Sequence, residues 1–168
     1  MSQGIFQALQ YLENLVEGIT PKTDSHHGFV ATNRGTGHTI PLEERANSTR
    51  YFEMRIDGLA QDDGQAGLSG RKRSRVLCRV RYDIPQDDGF LLRLMNEDCS
   101  VLIDTLKGPQ YNLATTGIVS LIPLEANIET IFDSQGERLA FLLSLPFDLL
   151  FFGGLKNGCY TSLFVNRC

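Results

Sequence analysis

Hydrophobic and polar residues alternate along this chain in two different periods, and the period predicts the elements. Over residues 3–19, Ile5, Phe6, Leu9, Leu12, Leu15, Val16 and Ile19 recur at spacings of three and four, the mark of an amphipathic helix. Ser2 can cap its start, and Gly18 with Pro21 marks its stop. Residues 50–57 instead alternate: Phe52, Met54 and Ile56 point one way, and Tyr51, Glu53, Arg55 and Asp57 the other. Residues 72–82 alternate as well. Val76, Cys78, Val80 and Tyr82 face the core, and Arg73, Arg75, Arg79 and Arg81 face away from it. The two strands make a hairpin, across which Glu53 and Asp57 can pair with some of the arginines.

The three-to-four period returns over 87–107, with an apolar stripe of Leu91, Leu94, Met95, Leu102, Ile103 and Leu106. Asp87 or Asp88 can cap that helix, Lys107 sits in its last turn, and Gly108-Pro109 ends it. Strands follow at Thr116–Pro123, at 126–132 and at 138–146, where Leu139, Phe141, Leu143 and Leu145 share one face. The order of helix, hairpin, helix and further strands predicts an α+β fold: an antiparallel or mixed sheet with both helices packed on one face and the other face wet. At 168 residues the chain reads as one domain over 1–168. Three irregular stretches punctuate it. They are a polar arm at 22–47 that includes a short apolar piece, Gly28 to Ala31, a glycine-rich hairpin loop at 58–70, and a tail at 153–168. A loop as long as the arm inside a compact domain more often serves a function or a partner than lies idle.

Composition changes this picture little: 42% hydrophobic and 21% charged residues are ordinary for a globular protein. Charge changes it more. The net charge is −4, yet Arg71, Lys72, Arg73, Arg75, Arg79 and Arg81 crowd eleven positions, and the other ten cations face twenty acids. A basic strip on an acidic body suits a contact between like subunits, a solvated face paired with neighbouring acids, or a polyanion. No aromatic platform accompanies the strip, which weakens the nucleic-acid reading.

Catalytic and metal chemistry is poorly represented. His26 and His27 are adjacent and His38 is the only other histidine, with no cysteine nearby, so no metal ligand set and no cofactor is expected. Gly35 and Gly37 form only G-x-G with no strand before them, which is a turn and not a dinucleotide fingerprint. The acid pairs Glu43-Glu44, Asp62-Asp63 and Asp87-Asp88 fall in loops or at a helix start, where carboxylates solvate turns and complement the helix dipole. Cys78, Cys99, Cys159 and Cys168 show no C-x-x-C spacing, and no signal peptide is evident, so reduced thiols in a cytosolic setting are expected. In that setting Asn47-Ser48-Thr49 is a polar loop and not a glycosylation site. The longest apolar stretch, 139–152, is shorter than the ~18 to 20 residues of a membrane span and contains Asp148. The expectation is a non-enzyme without a membrane partner.

One resemblance sharpens that expectation. The run Arg79-Val80-Arg81-Tyr82-Asp83-Ile84-Pro85, then a helix with Asp98 and Asp104, then a strand with Gly117-Ile118-Val119, resembles tail terminator proteins of long-tailed bacteriophages. The likeness in element order covers residues 1–150, and the motif-level likeness covers about 72–122. The resemblance implies a virion structural protein, assembled in the host cytoplasm, that forms a hexameric ring. Such a ring caps the tail tube and joins it to a head-completion or connector protein, with DNA passing through as transiting cargo. On that reading Arg73, Arg75, Arg79 and Arg81 lie at a subunit or partner interface, and Asp62, Asp63, Asp87 and Asp88 are candidates for the lumen. Two alternatives stay open: another neck or head–tail joining protein, or a small cytosolic anion-binding module or enzyme.

Overall fold

A computed structural model describes residues 4–23, 27–32, 49–58, 61–62, 71–83, 88–107 and 116–152. The expected tail, most of the arm and most of the 58–70 loop lie outside these residues. The chain runs α1 (Gly4–Glu17), β1 (Val30–Ala31), β2 (Thr49–Ile56), β3 (Gln61–Asp62), β4 (Arg71–Asp83), α2 (Asp88–Lys107), β5 (Ile118–Pro123), β6 (Asn127–Phe132) and β7 (Arg138–Phe152).

Two long hairpins lie side by side. β4 and β7 pair antiparallel over thirteen positions, from Arg71↔Phe152 to Asp83↔Ala140. At the usual rise per residue this ladder is about 40 Å long. β2 and β3 flank the outer side of β4, and β5 and β6 flank the outer side of β7, all antiparallel. β1 adds to β2 in parallel, so the seven-stranded sheet is mixed. β5 and β6 are one long strand bent at Leu124–Ala126, where the Leu124 amide still donates to the Pro146 carbonyl at 2.8 Å. α2 carries the chain from β4 over β7 to β5.

Both helices pack on one face of the sheet, against each other and against β2, β5 and β7. The core between the layers holds Leu12 and Val16 of α1, Leu94, Met95 and Leu102 of α2, and a sheet face of Phe52, Val76, Cys78, Val80, Leu145 and Phe147. This is the expected α+β architecture, and the β2 and β4 alternation sorts residues between faces as the sequence predicts. Three details differ. Phe6 of α1 is 75% exposed although it sits in the apolar repeat, because the buried stripe runs through Ala8 instead. β7 continues to Phe152, six residues past the end expected from its alternation, since β4 and β5 bracket that end. Leu139, expected on the covered face, is exposed beside the hairpin turn.

That turn, Asp133 to Glu137, is closed by one side chain. Asp133 Oδ1 accepts from the amides of Gln135 and Glu137, both at 2.8 Å. Gly136 takes φ 84°, a left-handed conformation that an L side chain enters at a cost.

Candidate functional site

Two polar constellations stand out, one buried and one open. The buried one centres on Arg50. It occupies a bulge in β2 between Thr49 and Tyr51 and takes a positive φ of 61°. The bulge turns its side chain into the protein, where it is fully buried. Its guanidinium grips Asp98 of α2 with two bonds, Nε to Oδ2 at 2.6 Å and Nη2 to Oδ1 at 3.1 Å. It also donates to the backbone carbonyls of Thr23 and His27 and lies 5.7 Å over the Phe29 ring. Tyr82 donates its hydroxyl to Asp98 Oδ2 at 2.9 Å. Thr23 in turn donates its hydroxyl to Glu97.

Burial raises the Asp98 carboxyl above its ordinary range, against the lowering effect of Arg50 and of the Tyr82 bond. Burial likewise lifts the Tyr82 hydroxyl well above its usual value. A neutral phenol donating to a carboxylate that an arginine neutralises is a satisfied network. It has the build of an anchor: it ties Thr23, residues 27–29, the start of β2 and the middle of α2 to one point.

The open constellation is the face of the sheet away from the helices. By register, Tyr51, Glu53 and Arg55 of β2 share it with Arg73, Arg75, Leu77, Arg79 and Arg81 of β4 and with Leu142, Ser144, Pro146 and Asp148 of β7. The four expected arginines therefore do share one face, but the face has two halves. Arg79 is buried and paired with Glu53 at 2.9 Å, the cross-strand pair anticipated from the alternation. Arg81 is buried and paired with Asp83 at 2.8 Å. Their cross-strand neighbours Ser144 and Leu142 are buried too. Arg73 and Arg75 are exposed at the other half, where Arg73 approaches Asp148 only to 3.9 Å.

Between the halves lies a cleft of about 250 Å³ with a floor of Leu77, Ser144 and Pro146. Arg55, Asp57 and Arg75 form one wall, and Glu125, Asn127 and Glu129 the other. Arg55 and Arg75 make no ion pair among the described residues. The opposite wall is acidic: Glu125 and Glu129 are exposed, and Asn127 Nδ2 donates to Glu129 Oε1 at 3.2 Å. Arginines of β2 and β4 (Arg55, Arg75 and the Glu53-paired Arg79) thus line one side of the cleft with Asp57 among them, and Glu125 and Glu129 line the other.

Of the candidate lumen acids, Asp62 sits in β3 opposite Lys72, and Asp88 opens α2 after β4 has ended at Asp83. They attach at opposite ends of β4, and the fold does not bring Asp62 and Asp88 together. Asp63 and Asp87 lie outside the described residues, as do His26, His38, Cys159 and Cys168. Cys78 is buried, which pushes its thiol up to about 12, and half-buried Cys99 is raised by the same cause. Among the described residues no group of three or more His, Cys, Asp or Glu could hold a metal ion. None of the described helices is long and apolar enough to cross a membrane.

Sequence reasoning passed over Arg50, Asp98 and Arg55. The first two carried a signal. Arg50 has the same parity as Phe52 and Met54, and Asp98 falls on the buried stripe of α2 between Met95 and Leu102. A charged residue on a core-facing position announces a buried partner. Arg55 falls on the outward face as the one cation there in β2, and only the pairing of β2 with β4 sets it near Arg75. A scan against models of known protein families finds no match to this chain, and a search of curated proteins finds none either.

Proposed function

We propose that this protein is a structural subunit that assembles with its own copies into a ring, in the manner of a phage tail terminator that caps the tail tube and joins it to the head connector. The observation that carries the reading is the β5–β6 edge of the sheet. β6 pairs with β7 on one side only among the described residues, and none of its side chains is fully buried on either face. Five large apolar residues lie exposed from β5 to the start of β7: Ile122 of β5, Leu124 of the bend, Ile128 and Phe132 of β6, and Leu139 of β7, with Phe132 at 57% and Ile122 at 54%. A long, apolar, unpaired edge strand invites pairing with another chain, and stable monomers blunt such edges. Here the edge is left sharp while the opposite layer is sealed by two helices. That asymmetry suits a building block better than a soluble catalyst.

In a ring, any charge on the lumen is repeated once per subunit, so a modest acidic bias becomes a strong field. Such a lumen repels phosphates and lets DNA slide, whereas a basic lumen would retain it through counterion release. The net charge of −4 is in keeping with this. The test is native mass measurement and electron microscopy of the purified protein, alone and with tail tube protein. The expected result is a closed oligomer, six-fold on the terminator reading, with a central opening wide enough for a DNA duplex. A monomer under both conditions, or an assembly without such an opening, refutes the proposal. Tight, salt-sensitive binding to free duplex DNA would contradict the sliding path.

A further inference from the structure

We infer that the tip of the β6–β7 hairpin of one copy seats in the open-face cleft of the next, with Glu137 set against Arg55 and Arg75. This rests on the ring reading above and names the contact that would build it.

The first observation is where the exposed apolar residues lie. Phe132 and Leu139 flank the hairpin turn. Ile122 and Leu124 flank the cleft: Ile122 pairs with Asp148, which pairs with Arg75, and the Leu124 amide bonds the carbonyl of Pro146 in the cleft floor. Nine positions of β7, about 30 Å at the usual rise, separate Leu139 from Asp148. A chain therefore cannot cover the rim of its own cleft with its own hairpin tip. Two apolar patches this far apart on one copy are covered together when the tip of one copy meets the rim of another.

The second observation is charge. Arg55 and Arg75 line one side of the cleft with Asp57, and Arg79 there is already paired with Glu53, so that side keeps a positive surplus. Glu125 and Glu129 line the other side. The hairpin tip offers both signs in turn. Glu137 and Arg138 are consecutive and exposed at the entry to β7, where neighbouring side chains leave the strand towards opposite faces. Seated in the cleft, Glu137 meets the arginine side and Arg138 the glutamate side.

The third observation is fit. At about 250 Å³ the cleft is smaller than the ~300 Å³ at which pockets for small-molecule ligands begin. A small anion drawn to Arg55 and Arg75 would also meet Glu125 and Glu129 across the same space. Side chains carried in on a rigid turn suit it better. Asp133 Oδ1 holds the amides of Gln135 and Glu137, and the Asp133 amide bonds the Glu137 carbonyl at 2.8 Å, so the tip has little conformational freedom to lose on docking. Tip and cleft are different surfaces, so a copy that docks its tip still offers its cleft to a third. That is a heterologous contact, the kind that closes rings.

The experiment compares Glu137→Arg, Arg55→Glu/Arg75→Glu, and a full chain carrying all three changes. The three side chains are exposed, and the turn bonds of Glu137 run through its backbone, so circular dichroism melts close to wild type are expected and serve as the control for folding. Should Glu137→Arg melt lower, Glu137→Gln gives the same test with a smaller expected loss. Each of the first two variants should assemble at least ~10-fold more weakly than wild type by analytical ultracentrifugation, since like charges then face each other. Glu137→Arg brings the net charge of −4 closer to zero, so relief of overall repulsion would strengthen its assembly instead. The chain with all three changes should regain assembly, because its tip and cleft are again opposite in sign. Normal assembly of either of the first two variants, or no recovery in the third, overturns the tip-in-cleft contact and leaves the ring reading standing. A wild-type chain that stays monomeric alone and with tail tube protein overturns both.

Discussion

Replacing Asp98 by alanine should unfold this protein more readily than almost any other single change in α2. Arg50 is fully buried, and the Asp98 carboxylate holds its guanidinium at hydrogen-bonding distance. The substitution removes two charge-assisted bonds, at 2.6 and 3.1 Å, and the acceptor of the Tyr82 hydroxyl. Guanidinium cannot neutralise itself by losing a proton at any accessible pH, so the variant keeps a full charge in the core without the Asp98 carboxylate. Breaking a buried pair in this way costs about 3 to 5 kcal/mol. For a chain of this size each kcal/mol lowers the melting temperature by about 2 to 4 °C, so the expected drop is roughly 6 to 20 °C.

Urea denaturation followed by circular dichroism measures this directly. Asp104→Ala, an exposed change on the same helix, supplies the comparison and should stay within about 0.5 kcal/mol of wild type. The double variant Arg50→Met/Asp98→Leu should recover much of the loss, because it removes the charge as well as its partner. Hydrogen exchange adds a spatial check. The amides of Thr23 and of residues 27–29 should lose protection in Asp98→Ala, since Arg50 holds the carbonyls of Thr23 and His27. A loss below about 1 kcal/mol for Asp98→Ala would refute the account of Arg50 and Asp98 as an anchor.

Other outcomes follow from the same geometry. Gly136→Val should destabilise the hairpin turn by about 1 to 2 kcal/mol, because a β-branched residue resists the left-handed backbone there, and thermal melts would show it. Glu53→Ala leaves Arg79 buried without its carboxylate and should cost about 1 to 3 kcal/mol in urea melts. Glu97→Ala, which frees only the exposed Arg93 on the ion-pair side, should cost less. Stability should also fall in alkali. The folded-state values of Cys78 and Tyr82 lie above their unfolded ones, so their contribution is complete below about 9 and is lost as pH rises towards about 12. A denaturation series from pH 8 to 11 should show that decline, and Cys78→Ala should make it shallower. In native protein, Cys99 should react with iodoacetamide before Cys78, as located by mass spectrometry; early labelling of Cys78 would contradict its burial.

The fold was largely legible because both of its periods are clean. α2 and β4 lie within about a residue of their expected ends, and the parity of β4 separates Val76, Cys78 and Val80 from the arginines. Alternation assigns a residue to a face, but it does not say how much of that face is covered. Arg79 and Arg81 therefore read like Arg73 and Arg75, although the first two are buried in ion pairs and the last two are exposed. Nor does a local pattern reveal what lies across the sheet. Glu125 and Arg55 are seventy residues apart, and only three successive strand pairings bring Leu124, the residue before Glu125, level with Arg55. The density of charge in 71–81 drew attention to β4, whereas the polarity of the open face arises between strands.

The division of the arginines bears on how assembly can be tested without confusing it with folding. Arg79 and Arg81 pair with carboxylates of their own chain and flank Leu142 and Ser144, so changing them perturbs the subunit itself. A variant such as Arg79→Glu would set two carboxylates together in a buried position beside Glu53. Any loss of assembly would then follow from a damaged fold. Arg55 and Arg75 differ on each count: both are exposed, and neither has an ion-pair partner among the described residues. Isolated surface charges contribute only about 0 to 1 kcal/mol to folding, so their reversal leaves stability nearly untouched. Across an interface the same reversal opposes like charges at every contact, and in a closed ring it does so once per subunit. A large assembly defect with an unchanged melting temperature is therefore the signature expected at Arg55 and Arg75. A defect that scales with lost stability is the signature expected at Arg79 and Arg81. Measuring both pairs side by side separates the arginines that hold the subunit together from the exposed ones left to meet another copy.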